Sequence, residues 1–183
     1  MADSIAETAR LIIRPWRDSD RIDYLATCNS EAVTAHLGGP ADPAAIDAAI
    51  DRIRKSHEDN GFCYWAVERR EDGAFLGYCG LKLTDLTDSP VAGEIEIGWR
   101  FREDAWGRGY ASEAAAAVLE WAWTNTSAGR IVSFTVPAND GSWKLMERIG
   151  MRRHSELDFA HPGFAADHPL SRHITYAIER PSA

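Results

Sequence analysis

The stretch that most restricts how this chain can fold runs from Glu94 to Glu113: Glu-Ile-Glu-Ile-Gly-Trp-Arg-Phe-Arg-Glu-Asp-Ala-Trp-Gly-Arg-Gly-Tyr-Ala-Ser-Glu. Its first part alternates acidic and apolar residues, the pattern of a half-buried strand. Its last part is a glycine-rich turn opening a helix, which continues through the alanine-rich Ala114–Trp123. Small side chains let such a helix lie close to a sheet. With the next strand pattern, Arg130–Val136, this predicts a strand–helix–strand unit and a local parallel pair. The turn presents several backbone N–H groups in one direction, at the positive end of a helix dipole, which suits a phosphate. Gly107 and Gly109, without a Cβ, can take positive φ and let a ligand approach the backbone.

Around this unit, Ala9–Arg14, bounded by Pro15, reads as a strand. Asp18 is a good N-cap for a helix to about Ser30 with Ile22, Leu25 and Ala26 on its apolar face. Asp42-Pro43 starts another helix, ended by Asn60-Gly61, with Ile46, Ile50 and Ile53 on one face. Phe62–Arg69 and Ala74–Leu83 read as strands joined by the hairpin turn Glu71-Asp72-Gly73, and Thr84–Gly93 as a polar loop. Asn139 or Asp140 caps a helix ending at Ile149-Gly150. Met151–Phe159 and His173–Ile178 are two final strands. The order predicts a mixed α/β (α+β) fold: a mostly antiparallel sheet with one local parallel pair, flanked by helices. The 183 residues read as a single domain with its core at about 8–180, long enough to bury that core without disulfides or metals.

Several function classes are disfavoured. The net charge of −8 argues against nonspecific nucleic-acid binding and favours a cationic or neutral substrate over an acidic one. The N-terminus, Met1–Glu7, lacks a basic region followed by an apolar run, so it is not a signal peptide. No stretch approaches the ~18 apolar residues of a membrane span, and a cytoplasmic protein without membrane contact is expected. Cys28, Cys63 and Cys79 form no CxxC pair and read as buried thiols. His154, His161, His168 and His173 are loosely spaced. A loop bordering a substrate entrance is the expected reading, and no metal site is.

Gly107-Arg108-Gly109 alone is a weak signal. A dinucleotide fingerprint needs a third glycine where this chain has Ser112, and a phosphate loop needs a Gly-Lys-Ser/Thr that is absent. The flanking residues decide. Glu96-Ile97-Gly98-Trp99, followed by Trp106-Gly107-Arg108-Gly109-Tyr110-Ala111-Ser112-Glu113-Ala114, resembles the acetyl-CoA signature of the GNAT superfamily of N-acetyltransferases, in particular its RimJ/RimL branch. Asn139-Asp140-Gly141-Ser142, continued to Glu147-Arg148-Ile149-Gly150-Met151, is similar to the family's second element. The order of elements matches along nearly the whole chain.

The resemblance implies direct attack of a primary amine, on a protein N-terminus or a small molecule, upon the thioester of acetyl-CoA, without a metal. It implies pantetheine pairing with the backbone of Trp99, Arg100 and Phe101 between splayed strands. It places the pyrophosphate on the turn formed by Trp106, Gly107, Arg108, Gly109, Tyr110, Ala111 and Ser112. Trp106 stands where many members carry Gln or Arg, so a side-chain donor is lost there. Arg100 and Arg102 read equally as surface charges or phosphate ligands. Dimers are common in the family, so a homodimer is possible.

The attacking amine must lose a proton, which a base poised near neutral pH accepts. Glu94 and Glu96 share one face of their strand, and a carboxylate in a partly apolar cleft has a raised pKa. Glu96 is preferred from its place in the motif, and both remain candidates. The family's tyrosine acid aligns with Met146, leaving Ser142 as the candidate donor to the leaving sulfur. Asn139 reads as cofactor ligand, helix cap or both. The alternative reading is a catalytically silent acyl-CoA-binding module, which would keep the cradle without a working base.

Overall fold

The computed structural model describes residues 4–182; the reading of Met1–Asp3 as lacking a signal lies outside them. The elements are β1 (Ala6–Glu7), β2 (Leu11–Arg14), α1 (Asp20–Thr27), α2 (Glu31–Thr34), α3 (Pro43–Asn60), β3 (Tyr64–Arg69), β4 (Phe75–Leu83), β5 (Ile95–Phe101), α4 (Tyr110–Asn125), β6 (Arg130–Thr135), α5 (Asp140–Arg148), β7 (Arg152–Arg153), β8 (Phe159–Ala160) and β9 (Arg172–Glu179). The strands form a mixed α/β sheet in the order β1-β2-β3-β4-β5-β6-β9-β7, with β8 also on β9. Neighbours are antiparallel except β5 and β6, which run parallel.

Each face of the sheet is covered by helices. Side-chain alternation along β5 sends Ile97 and Phe101 into one core with Trp65, Leu81 and the α4 residues Ala114, Ala115 and Val118. Glu96, Gly98 and Arg100 are thereby turned to the opposite face, where α1 and α3 pack Tyr24, Ile46 and Ile50 against Trp16, Ala66 and Phe75. The alanines of α4 do what their size allows, since Ala114, Ala115 and Ala122 are fully buried.

Two expectations are corrected. The first helix begins at Asp20, and Ile22 and Leu25 point outward, 74% and 39% exposed. The buried Arg14 explains the rotation: its guanidinium takes the Asp20 carboxylate at 2.7 and 2.9 Å and Glu68 at 2.7 Å. A buried charge left without its partner costs more than two exposed apolar side chains, so Asp20 and Tyr24 go inward. Asp20→Ala should cost about 3–5 kcal/mol, read as a lower urea midpoint at unchanged slope.

Second, Met151–Phe159 is no continuous strand. Asp158 turns in to accept the Thr175 N–H at 3.0 Å, and the Thr175 hydroxyl donates to the Leu157 carbonyl at 2.7 Å. These bonds replace part of the ladder and leave the stubs β7 and β8 around a 3-10 turn at Ser155–Leu157.

Candidate active site

The glycine turn is built as its composition requires. Gly107 and Gly109 have φ of 70° and 80°, left-handed values that are cheap only for glycine. Gly109 is the N-cap of α4 and no side chain caps the helix, so the first-turn N–H groups of Tyr110, Ala111 and Ser112 have no partner within the helix. Arg108 is exposed beside them, whereas the Tyr110 ring is buried and leaves only its backbone at the turn. The arrangement fits an anionic phosphate group.

A brace not foreseen from the sequence holds this turn. Glu113, in the first turn of α4, accepts from the Thr8 hydroxyl at 2.5 Å, the Arg10 N–H at 3.1 Å and the Arg10 guanidinium at 2.7 Å. Arg10 also donates to the Arg108 carbonyl at 3.0 Å and lies 4.6 Å over the Tyr110 ring. Burial works to raise the Glu113 pKa, but the bonds from Thr8 and Arg10 outweigh it and hold the carboxyl below its usual value. On the far side, Arg148 of α5 donates to the Ser112 hydroxyl at 3.2 Å, tying the two helices that flank the cleft.

The parallel pairing of β5 with β6 is confined to Ile95↔Ile131 and Glu96↔Val132; beyond it the strands splay. Thr84 N–H donates to the Glu94 carbonyl and Arg102 N–H to the Leu76 carbonyl. By strand alternation, even-numbered residues bond to β4 and the Trp99 backbone faces the splay. The Phe101 carbonyl faces it too but accepts the Trp106 indole N–H at 2.9 Å. Trp106, 49% exposed, therefore spends its donor closing the end of this backbone edge.

Asn139 caps α5 by accepting the Ser142 N–H at 3.3 Å and anchors it to β6 through the Thr135 hydroxyl at 3.0 Å. Ser142 is partly buried on the first turn. Met146 is fully buried in the core, so the position that the sequence resemblance matches to a tyrosine acid holds a packing side chain.

The two carboxylates differ sharply. Glu94 lies just before β5 and is held by an ion pair with Arg130. Glu96 is partly buried, and its pKa is pushed up to about 7 by that burial, against the Lys82 ammonium and the Tyr64 hydroxyl, which favour the charged form. Lys82 is its cross-strand partner on β4 and pairs with Asp85 at 2.8 Å. A carboxyl with such a value can accept a proton near neutrality.

Arg100 and Arg102 each have partners of their own in the structure. Arg100 is on the Glu96 face, bonded to the Tyr24 hydroxyl and set over the Tyr24 and Tyr78 rings; Arg102 pairs with Asp104 at 2.5 Å. The histidine loop folds onto the β6–β9 half of the sheet. His161 and His173 lie 5.0 Å apart among Phe159, Phe134 and Phe164, and burial lowers the pKa of both. Lys82 and Asp85 act electrostatically on both His161 and Glu96. No group of three or more potential metal ligands occurs among the described residues.

Comparison with known proteins agrees with this geometry. Residues 10–152 match the acetyltransferase (GNAT) domain model. An uncharacterized N-acetyltransferase of Bacillus subtilis (strain 168), YnaD, is 45% identical over 80% of this chain and 81% of its own. The structure of an acetyltransferase from Agrobacterium tumefaciens str. C58 superposes with a TM-score of 0.73 at 26% identity, covering 95% of this chain and 93% of that one. The ribosomal L7/L12 α-N-protein acetyltransferase RimL, solved with coenzyme A, shares the fold at a TM-score of 0.78 and 13% identity, over 97% of this chain and 98% of its own. A cradle of uncapped amides beside splayed strands, read with these matches, makes this chain an acetyltransferase of the GNAT family.

Proposed function

We propose that the enzyme moves the acetyl group of acetyl-CoA to a primary amine by direct attack, with Glu96 as general base. The observation that carries this reading is a carboxyl near neutral pKa on the strand that opens the cleft, while its neighbour Glu94 is engaged by Arg130. Acetyl-CoA supplies the activated thioester. The amide groups of Arg108 to Ser112 would hold its pyrophosphate, and the Trp99 backbone its pantetheine. Glu96 takes the proton lost as the amine nitrogen bonds to the thioester carbon and the carbon–sulfur bond breaks. Ser142 donates a hydrogen bond to the leaving sulfur. The acceptor side is built from the Pro15–Asp42 region, the Thr84–Gly93 loop and the His161–His173 loop.

The chain acts as one domain in the cytoplasm on this reading, supported by its three free, buried cysteines. No helix among the described residues is long and apolar enough to cross a membrane. The test is CoA release with a panel of alkyl amines, polyamines and peptides with free N-termini. Amine-dependent release is expected. Tight acetyl-CoA binding without turnover on any of them would favour the silent module.

The brace gives a further expectation. Arg10→Ala frees both the Arg108 carbonyl and Glu113, so the cradle loses its preorganisation. Acetyl-CoA should bind about 3–10-fold more weakly, on the scale of one or two lost charge-assisted bonds at a half-exposed site. Calorimetry reads this directly, with kcat at saturating acetyl-CoA reduced less than affinity.

A further inference from the structure

Gly98 stands inside the sequence motif, between Glu96 and Arg100 on one face of β5. Its partner across the ladder is Gly80 of β4, which in turn pairs with Tyr64 of β3. The missing side chains open a lane across the sheet, and the Tyr64 ring occupies it. A Cβ on Gly98 would stand 3.0 Å from the Tyr64 Cε1 and hydroxyl and 3.1 Å from Cζ, closer than carbon atoms pack at ease. Gly98 has no left-handed φ that would call for glycine; the ring is what excludes a side chain. Tyr64 is fixed by stacking on Tyr78 at 5.2 Å, with an interplanar angle of 15°, and Tyr78 stacks on Tyr24 at 6.1 Å. Its hydroxyl ends over Gly98, two residues from Glu96 on the same face of β5, and burial, with the nearby Glu96 charge, pushes the phenol well above its ordinary value.

We propose that Tyr64 is a positioning residue for the general base: carried across Gly98, its hydroxyl donates to one Glu96 oxygen and leaves the other aimed at the acceptor amine. This rests on reading Glu96 as that base. The charged groups facing Glu96 are Lys82 from β4 and its partner Asp85 from the following loop. His161 adjoins that pair from the β8–β9 loop, and Glu94 on the same chain segment is held by Arg130. Tyr64 is the neutral donor among them. A donor to the charged form favours that form, so removing it raises the pH at which Glu96 ionises.

Tyr64→Phe keeps the ring pile and deletes the donor. The break in kcat/KM against pH should move upward, with the loss concentrated on the acid side and reaching about threefold there, the equivalent of half a pK unit. Gly98→Ala, which pushes the ring aside, should shift the break in the same direction, and adding it to Tyr64→Phe should shift it no further. Titration of the Glu96 carboxyl by NMR in the free enzyme should show the same upward shift without any turnover. An unchanged Glu96 titration in Tyr64→Phe would overturn the proposal. Full turnover in Glu96→Gln would instead remove the base reading, while the NMR titration still reports whether Tyr64 holds the carboxyl.

Discussion

Glu96→Gln lowers kcat by about 10²–10⁴-fold, the range of general-base contributions, and leaves acetyl-CoA affinity nearly intact. The amide has the shape of the carboxylate but cannot take a proton, and Glu96 lies away from the phosphate-binding turn. Stability should not fall, and should rise somewhat above neutral pH, because a carboxyl whose pKa is raised by burial costs the fold stability once it is charged. Pre-steady-state acetyl transfer and calorimetry with acetyl-CoA separate the two effects. Glu94→Gln is the paired control. Its removal breaks an ion pair with Arg130 and should cost far less turnover. Equal losses in the two variants would mean that the proton passes through Glu94.

Gly109→Trp abolishes measurable acetyl-CoA binding. At φ 80° a bulky residue costs on the order of 1–2 kcal/mol of backbone strain, which a domain of this size tolerates. A Cβ there would already lie 3.4 Å from the Arg10 guanidinium, so the indole has to spread over the turn or displace the Arg10 brace. Either outcome removes the array of N–H donors. Circular dichroism should remain that of the folded protein, while calorimetry shows no acetyl-CoA heat. Undiminished affinity in a folded variant would place the phosphate elsewhere.

These predictions draw on residues of different legibility. Gly107 and Gly109 are readable because only glycine takes those backbone angles cheaply, and Asn139 because a capping residue stands directly before a helical pattern. The parallel pair and its helix come from one strand–turn–helix pattern. The choice between Glu94 and Glu96 is not readable, because strand spacing makes them equivalent. Arg130 on β6 and Lys82 and Tyr64 on β4 and β3 make them different, and each is distant in sequence. The same holds for Arg10, in the sequence one residue of a strand pattern among others, which only the fold brings to Glu113. Ile22 and Leu25 mislead because a buried ion pair, invisible to an apolar pattern, sets the rotation of α1. Trp106 reads as a missing donor, whereas its indole bonds to the Phe101 carbonyl.

The central claim, a cleft in which Glu96 accepts the amine proton near neutrality, is tested most directly by the pH dependence of kcat/KM with an alkyl amine whose own pKa is near 10. Both the base and the free amine must then be deprotonated, and their ionisations are well separated. The logarithmic slope should fall from about two to about one as pH rises through about 7, and Glu96→Gln should show a slope of about one throughout. A wild-type slope of about one on both sides of neutrality would contradict the assignment of Glu96 as the base.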